Sequence, residues 1–425
     1  MKKYSEMSKE ELLAEKESLT KKYEEKKALG LKLDMSRGKP APAQLELSMD
    51  MLDVINSSSD MKTEGGTDLR NYGVLDGIPE AKALMAQLMG TDVKNVMVLG
   101  NASLPIMYDT IARAMLKGIC GSTPWSKLDK VKFICPVPGY DRHFAITQSF
   151  DIEMVTVPWL PDGPDMEKIE ELVKDPAVKG IWVVPKYSNP TGYTCSDACV
   201  KRFAALKPAA EDFRIFWDNA YAVHDLYEDK SDSLLDIISE CEKAGNPDLV
   251  FEFASTSKVT FAGAGIGAMA ASSKNLEWAK KSMTIQTIGY DKINQMRHVR
   301  YLKDMDGVKT QMMKQAAIMR PKFEVVIDCL EKELADLDIA CWTKPLGGYF
   351  ISFQAMKGCA KRIGELCKEA GMVVTTVGAT YPYGVDPDDS NVRIAPTFPT
   401  LEDMQKASEL FALCVRLASV EKLLG

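Results

Sequence analysis

Residues 248–267 read DLVFEFASTSKVTFAGAGIG, and the order of residue types in this stretch decides how the chain is built. Leu249 to Ala254 form a short run of mainly apolar, strand-favouring residues that stops in three small hydroxyl residues, Ser255, Thr256 and Ser257. A run of that length with such an ending reads as a buried strand. Directly after it stands one cation, Lys258, and then the small residues Ala262, Gly263, Ala264, Gly265 and Gly267. A lysine whose amine is buried loses its charge readily, and the free amine is a nucleophile suited to forming an imine. The other reading lays the stem along a strand edge with the head in solvent. This stretch alone leaves both readings open.

Working outward, five further runs of the same kind precede it: NVMVLG (95–100), KFICPVPG (132–139), IEMVTVPW (152–159), GIWVVP (180–185) and FRIFWDNA (213–220). Helical patterns separate them, which predicts an α/β fold: a parallel sheet with crossover helices on both faces and ligands at the carboxyl ends of the strands. A charged helical stretch follows from about 294 to 335. The last block holds GGYFISF (347–353) and NVRIAP (391–396) as strands, and residues 401–424 as an amphipathic helix. At the other end, Ser8 and Glu11 read as a capping box that opens a surface helix, closed near Gly30. The proline-rich segment 31–48, LKLDMSRGKPAPAQLELS, reads as an ordered loop. The expected organisation is an N-terminal helix and loop over 1–60 that joins the small domain, a large domain over 61–324, and a small α+β domain over 325–425.

Composition excludes several classes. The 425 residues carry a formal net charge of −7 with no long basic cluster, which argues against nucleic acid as a partner. Ten cysteines at irregular spacing, with Cys195 and Cys199 matching no zinc or redox motif, read as free thiols in a reducing cytoplasm, and no metal site is expected. The first thirty residues are too charged for a signal peptide, and no apolar run approaches the ~20 residues of a membrane span.

Three strand ends upstream of Lys258 carry polar residues. Gly100, Asn101, Ala102 and Ser103 follow one strand and open a helix, a place suited to a phosphate, although many such turns bind nothing. Asn189 and Pro190 end another, as a functional group or an ordinary Asn-Pro turn. Asp218 ends a third with Tyr221 three residues later, and such an aspartate can also simply cap a helix. Together, an imine-forming lysine, a phosphate cradle, an anion for a ring nitrogen and donors for a phenolate oxygen are what pyridoxal phosphate requires.

The ordered motifs NYG (71–73), PGYDRH (138–143), SNPTG (188–192), DNAY (218–221), STSK (255–258), GGYF (347–350) and NVRIAP resemble those of fold-type I pyridoxal-phosphate-dependent aminotransferases. DMSRGKP (34–40), FAGAGIG (261–267) and DKINQMRHVR (291–300) resemble a bacterial subgroup of aspartate aminotransferases. The resemblance implies that Lys258 bonds the cofactor and moves the proton, that Asp218 pairs with the ring nitrogen with His143 as its partner, and that Tyr140 stacks on the ring. It assigns Asn189 and Tyr221 to the ring oxygen. The phosphate falls to Asn101, Ala102, Ser103, Ser255, Ser257 and, from a second subunit, Tyr72, which implies a homodimer with shared sites. Arg393 is assigned to the substrate's α-carboxylate, and Gly38 and Asn189 also to the substrate site. Arg37, Lys292 and Arg297 are the candidates for a distal carboxylate. One departure stands out: the position where many relatives carry a phosphate-binding arginine is Gly265. The implied reaction is ping-pong transamination between L-aspartate and 2-oxoglutarate. The alternatives are a lyase or decarboxylase on the same fold, and a cofactor-sensing domain with no catalysis.

Overall fold

All six apolar runs become strands of one eight-stranded sheet in the computed structural model, which describes residues 2–425. Its spatial order is Val96–Val98, Gly267–Ala271, Val250–Ser255, Arg214–Asp218, Val178–Val183, Lys132–Val137, Glu153–Leu160 and Gly163–Pro164. Four neighbouring pairs in the centre are parallel. The strands Val178–Val183 and Arg214–Asp218 are buried at every residue, which is why their centres read as apolar runs rather than alternating ones. The motifs PGYDRH, SNPTG, DNAY and STSK therefore sit at or past the carboxyl ends of strands, whereas NYG lies in the turn before the helix Pro79–Met89 and DKINQMRHVR on the helix Lys292–Leu302.

Gly267–Ala271 is a strand the sequence reading did not contain. It runs antiparallel between Val96–Val98 and Val250–Ser255. Its sequence, GAMAA, has little strand preference, and the reason for small residues is steric: a Cβ on Gly267 would lie 2.7 Å from the Ala102 carbonyl oxygen. The strand thus passes directly beneath the turn that starts the helix Ser103–Lys117.

The remaining elements form a second layer of structure. Ala340–Trp342, Ile351–Ala355 and Asn391–Ile394 make an antiparallel sheet, and Leu33–Asp34 pairs in parallel with Met372–Val373. The capping box is present: Ser8 Oγ accepts from Glu11 N at 3.2 Å, and Ser8 N donates to Glu11 Oε2 at 2.6 Å. Segment 31–48 is more ordered than a loop, because Pro42 begins the short helix Pro42–Glu46 at the one helical position where its missing N–H costs nothing. The charged stretch near 294–335 divides into Lys292–Leu302 and Met305–Leu334, the second opened by Asp304, whose side chain accepts from Asp306 N and Gly307 N.

The terminal helix Leu401–Leu424 corrects the amphipathic expectation. From Leu410 to Val420 only Arg416 keeps appreciable exposure. The helices Lys9–Ala28, Met305–Leu334 and Ala360–Glu369 pack on it from several sides, so its middle has no solvent face to be polar on. Among the described residues all cysteines are free thiols, no cluster of metal-ligating side chains occurs, and no helix is long and apolar enough to cross a membrane.

Candidate active site

Lys258 follows the strand Val250–Ser255 in a turn that is tied from both sides. Ile266 N donates to Thr256 Oγ1 at 2.9 Å, and the Val259 carbonyl accepts from Gln315 Nε2 at 2.9 Å and Gln311 Nε2 at 3.3 Å. Gln44 extends this buried amide chain, donating to Gln315 Oε1 at 2.7 Å and to the Tyr349 hydroxyl at 3.3 Å. The backbone beside Lys258 is thus anchored to the long helix and to segment 31–48. Its Nζ lies 5.0 Å from the centre of the Tyr221 ring and 5.8 Å from that of Tyr349. Burial pushes the amine below the ordinary lysine range, with the Asp218 carboxylate pulling weakly the other way. Lys258 is half-buried as a residue, and its side chain lines a cavity rather than a strand edge, which favours the enclosed reading.

The same cavity is lined by Asp218, Tyr140, Asn189, Tyr221, Ser103 and Gly38. Asp218 is 2% exposed, and its Oδ2 lies 2.9 Å from His143 Nε2. His143 is held in place by stacking on Trp182 at 4.4 Å and 9°, while Trp182 Nε1 donates to Thr147 Oγ1 at 2.8 Å. The other carboxylate oxygen, Oδ1, is buried with no hydrogen-bond partner among the described residues. A buried carboxylate oxygen left unpaired is costly, so an external N–H donor is the group this position fits. A protonated pyridine nitrogen is such a donor, and pyridoxal phosphate therefore passes this test of fit.

Around the remaining faces of the cavity, Asn189 Oδ1 accepts from Arg393 Nη1 at 3.2 Å, which leaves its amide nitrogen to donate elsewhere. Burial raises the Tyr221 phenol far above its ordinary range, and the neighbouring Tyr140 and Tyr349 add to the effect, so it is a neutral donor. His224, behind Tyr221, is pushed down to about 3 by burial and then by the charges of Lys258 and Lys186. It is neutral at physiological pH, in keeping with a structural role.

The residues expected to cradle a phosphate are neutral groups. The helix Ser103–Lys117 starts at Ala102, whose side chain cannot cap, so its first amides are free for an anion. Ser255 Oγ and Ser257 Oγ lie 3.0 Å apart beside it. A Cβ on Gly265 would stand 3.0 Å from Ser257 N and 3.1 Å from the Asn101 carbonyl oxygen, so a side chain there would need these neighbours to give by a few tenths of an ångström. Asn294 Nδ2 holds this loop by donating to the carbonyls of Gly265 at 2.9 Å and Ala264 at 3.2 Å.

Nine predicted residues are not among those lining this cavity: Asn101, Ala102, Ser255 and Ser257 at the turn just described, Arg393, and the four residues Tyr72, Arg37, Lys292 and Arg297. Tyr72 is 81% exposed, and Arg37 is an exposed partner of Asp34 at 3.3 Å. Lys292 Nζ donates to the Gly73 carbonyl at 3.2 Å, and Arg297 has a buried Nε with no partner. Arg393, from the strand Asn391–Ile394, reaches the cavity wall: Nη1 pairs with Asp141 Oδ1 at 2.8 Å, and the guanidinium lies over the Phe350 ring at 4.8 Å. A Cβ on Gly38 would be only 2.0 Å from Phe350 Cζ, so the glycine is what lets the N-terminal segment close over that ring. Sequence reasoning missed Trp182, Phe350, Gln315 and Asp141 in these roles. Only Phe350, in GGYF, and Asp141, in PGYDRH, lay inside motifs that could have flagged them.

The sequence profile of the family described as aspartate amino-transferase matches residues 7–425. The chain belongs to the aspartate aminotransferase family. It is 47% identical to an aminotransferase of Mycolicibacterium smegmatis over 99% of each chain, and 46% identical to the aspartate aminotransferase of Corynebacterium glutamicum over 95% of this chain and 94% of that one. The crystal structure of an aspartate transaminase from Corynebacterium glutamicum superposes with a TM-score of 0.95, at 46% identity and 97% coverage of both chains. This aminotransferase therefore has the α/β fold of the pyridoxal-phosphate-dependent enzymes, and membership of the family implies dependence on that cofactor.

Proposed function

We propose that this aminotransferase exchanges amino groups between L-aspartate and 2-oxoglutarate by a ping-pong mechanism, with pyridoxal phosphate bonded to Lys258. The single observation that carries the reading is the buried, unpartnered Oδ1 of Asp218 in the wall of the cavity that encloses the Lys258 amine. The name of the 46% identical Corynebacterium glutamicum relative supports aspartate as donor. When bound, the cofactor supplies an electron-withdrawing ring that stabilises negative charge on the substrate's α-carbon. Asp218 holds the ring nitrogen, positioned by His143. Asn189 and Tyr221 would donate to the ring oxygen, and Tyr140 would lie against the ring. The cradle of Asn101, Ala102, Ser103, Ser255 and Ser257 takes the phosphate, completed by Tyr72 of a second copy. Lys258 Nζ takes the proton from the substrate's α-carbon, a task for which its burial suits it because the amine is uncharged more often than an exposed one.

Arg393 grips the α-carboxylate through its guanidinium fork. For the distal carboxylate, Arg37, Lys292 and Arg297 remain the candidates, the last two reaching across from a second copy; the unpartnered Nε of Arg297 supports it over Lys292. Exposed Tyr72, Leu116, Ile285 and Ile288 support a homodimer, and the free thiols support a reducing, cytoplasmic setting. The test is initial-rate kinetics with both substrates varied. The proposal expects parallel double-reciprocal lines and one oxaloacetate formed per glutamate. Intersecting lines, or release of carbon dioxide or ammonia in place of glutamate, would overturn it.

A further inference from the structure

The arginine proposed to receive the substrate already holds a carboxylate. Arg393 Nη1 donates to Asp141 Oδ1 at 2.8 Å and to Asn189 Oδ1 at 3.2 Å, and Nε reaches Thr375 Oγ1 at 3.4 Å. The Arg393 side chain is 9% exposed and that of Asp141 35%. Phe350 covers one face of the guanidinium. No other carboxylate pairs with Arg393 among the described residues, so Asp141 alone balances this buried charge.

We infer that Asp141 is a resident counter-ion of Arg393 that the substrate's α-carboxylate must displace, and that it thereby sets the affinity for both the amino acid and the oxo acid. The inference rests on the proposed role of Arg393. Two carboxylates on one guanidinium would leave an uncompensated negative charge at a largely buried site, so the incoming one binds fully only as Asp141 turns away. Asp141 can do so cheaply. It is the first residue of the helix Asp141–Ser149, it is partly open to solvent, and the helix N-terminus continues to stabilise its charge after it leaves Arg393. Arg393 itself stays in place, held by Thr375, Asn189 and Phe350. Asp141 thus keeps the guanidinium paired between turnovers and weakens substrate binding by the strength of the pair it gives up.

The alternative, that Asp141 merely braces Arg393, predicts the opposite sign. The measurement is the dissociation constant of maleate, a dicarboxylate with no amino group to react, read from the absorbance change of the cofactor-loaded enzyme and by calorimetry. For Asp141→Asn the inference expects binding about three- to tenfold tighter, the size of a partly exposed ion pair. The KM values for aspartate and 2-oxoglutarate should fall together by a similar factor. Asp141→Glu, which retains the charge, should bind maleate within about twofold of the natural protein and serves if the asparagine variant does not fold. Unchanged or weaker binding by Asp141→Asn, or tightening by Asp141→Glu as large as that by Asp141→Asn, overturns the inference. Arg393→Lys separates the two levels. If it leaves maleate binding untouched, the role of Arg393 fails and the inference with it. If it weakens binding while Asp141→Asn does not tighten it, only the counter-ion inference fails.

Discussion

Glu252 lies on the strand next to Asp218 and is buried to 2% exposure, with Oε1 accepting from Asn219 Nδ2 at 2.9 Å and Oε2 unpartnered. Burial, offset in part by the Asn219 hydrogen bond, pushes its carboxyl from 4.5 up to about 8. Between these two values the folded protein holds a proton that the unfolded chain has released, so stability falls as pH rises through that window and levels off above about 8. At about 1.4 kcal/mol per unit, the loss between pH 5 and pH 8 is roughly 4 kcal/mol. Glu252→Gln keeps the shape, donates where the neutral acid would, and does not titrate. The assay is the thermal unfolding midpoint of both proteins, followed in parallel from pH 5 to pH 8.5. The natural protein should lose roughly 4 °C relative to the variant across that range, using the ordinary per-residue unfolding entropy for a chain of this length. Two midpoint curves that stay parallel would refute the reasoning and mean that Glu252 is ionised with a partner at all these pH values.

Two further outcomes follow from the site. Asp218→Asn removes the charge that holds a ring nitrogen protonated, and kcat should fall by about a hundredfold or more, the worth of a charge-assisted hydrogen bond of ~3 kcal/mol; an unchanged kcat would remove Asp218 from the reaction. Gly38→Ala places a methyl 2.0 Å from Phe350 Cζ, so the ring must move away from Arg393. KM for both substrates should rise about tenfold, with overpacking costing roughly 1–3 kcal/mol of stability, while retention of the natural KM would show that Phe350 does not position Arg393.

The central sheet was legible because strands buried on both faces are mostly apolar, and six largely apolar runs stand out against helical spacing, even Glu153–Leu160 with its partly exposed face. Gly267–Ala271 was not, since Gly267 stands there for clearance beneath the Ala102 turn and its buried alanines carry no periodic signal. Pro42 misled for a related reason: proline reads as a loop residue although the first turn of a helix accepts it. The terminal helix looked amphipathic because its exposed first turns are charged, while its burial on several sides depends on helices far away in sequence. That Lys258, Asp218 and Asn189 come to one cavity was legible from their place at or past strand ends. The contacts of Arg393 with Asp141, 252 residues away, and with Phe350 were not, because the first exists only once the two sheets meet and the second only once Ile351–Ala355 pairs with Asn391–Ile394.

The most direct measurement is the visible absorption spectrum of the purified, pyridoxal-phosphate-loaded enzyme, recorded alone, after L-aspartate, and after subsequent 2-oxoglutarate. The account predicts that the long-wavelength band disappears with aspartate, returns with 2-oxoglutarate, and is absent from Lys258→Ala as the same lysine-bonded species. A band that Lys258→Ala leaves unchanged, or one that aspartate cannot shift in the natural protein, would contradict it.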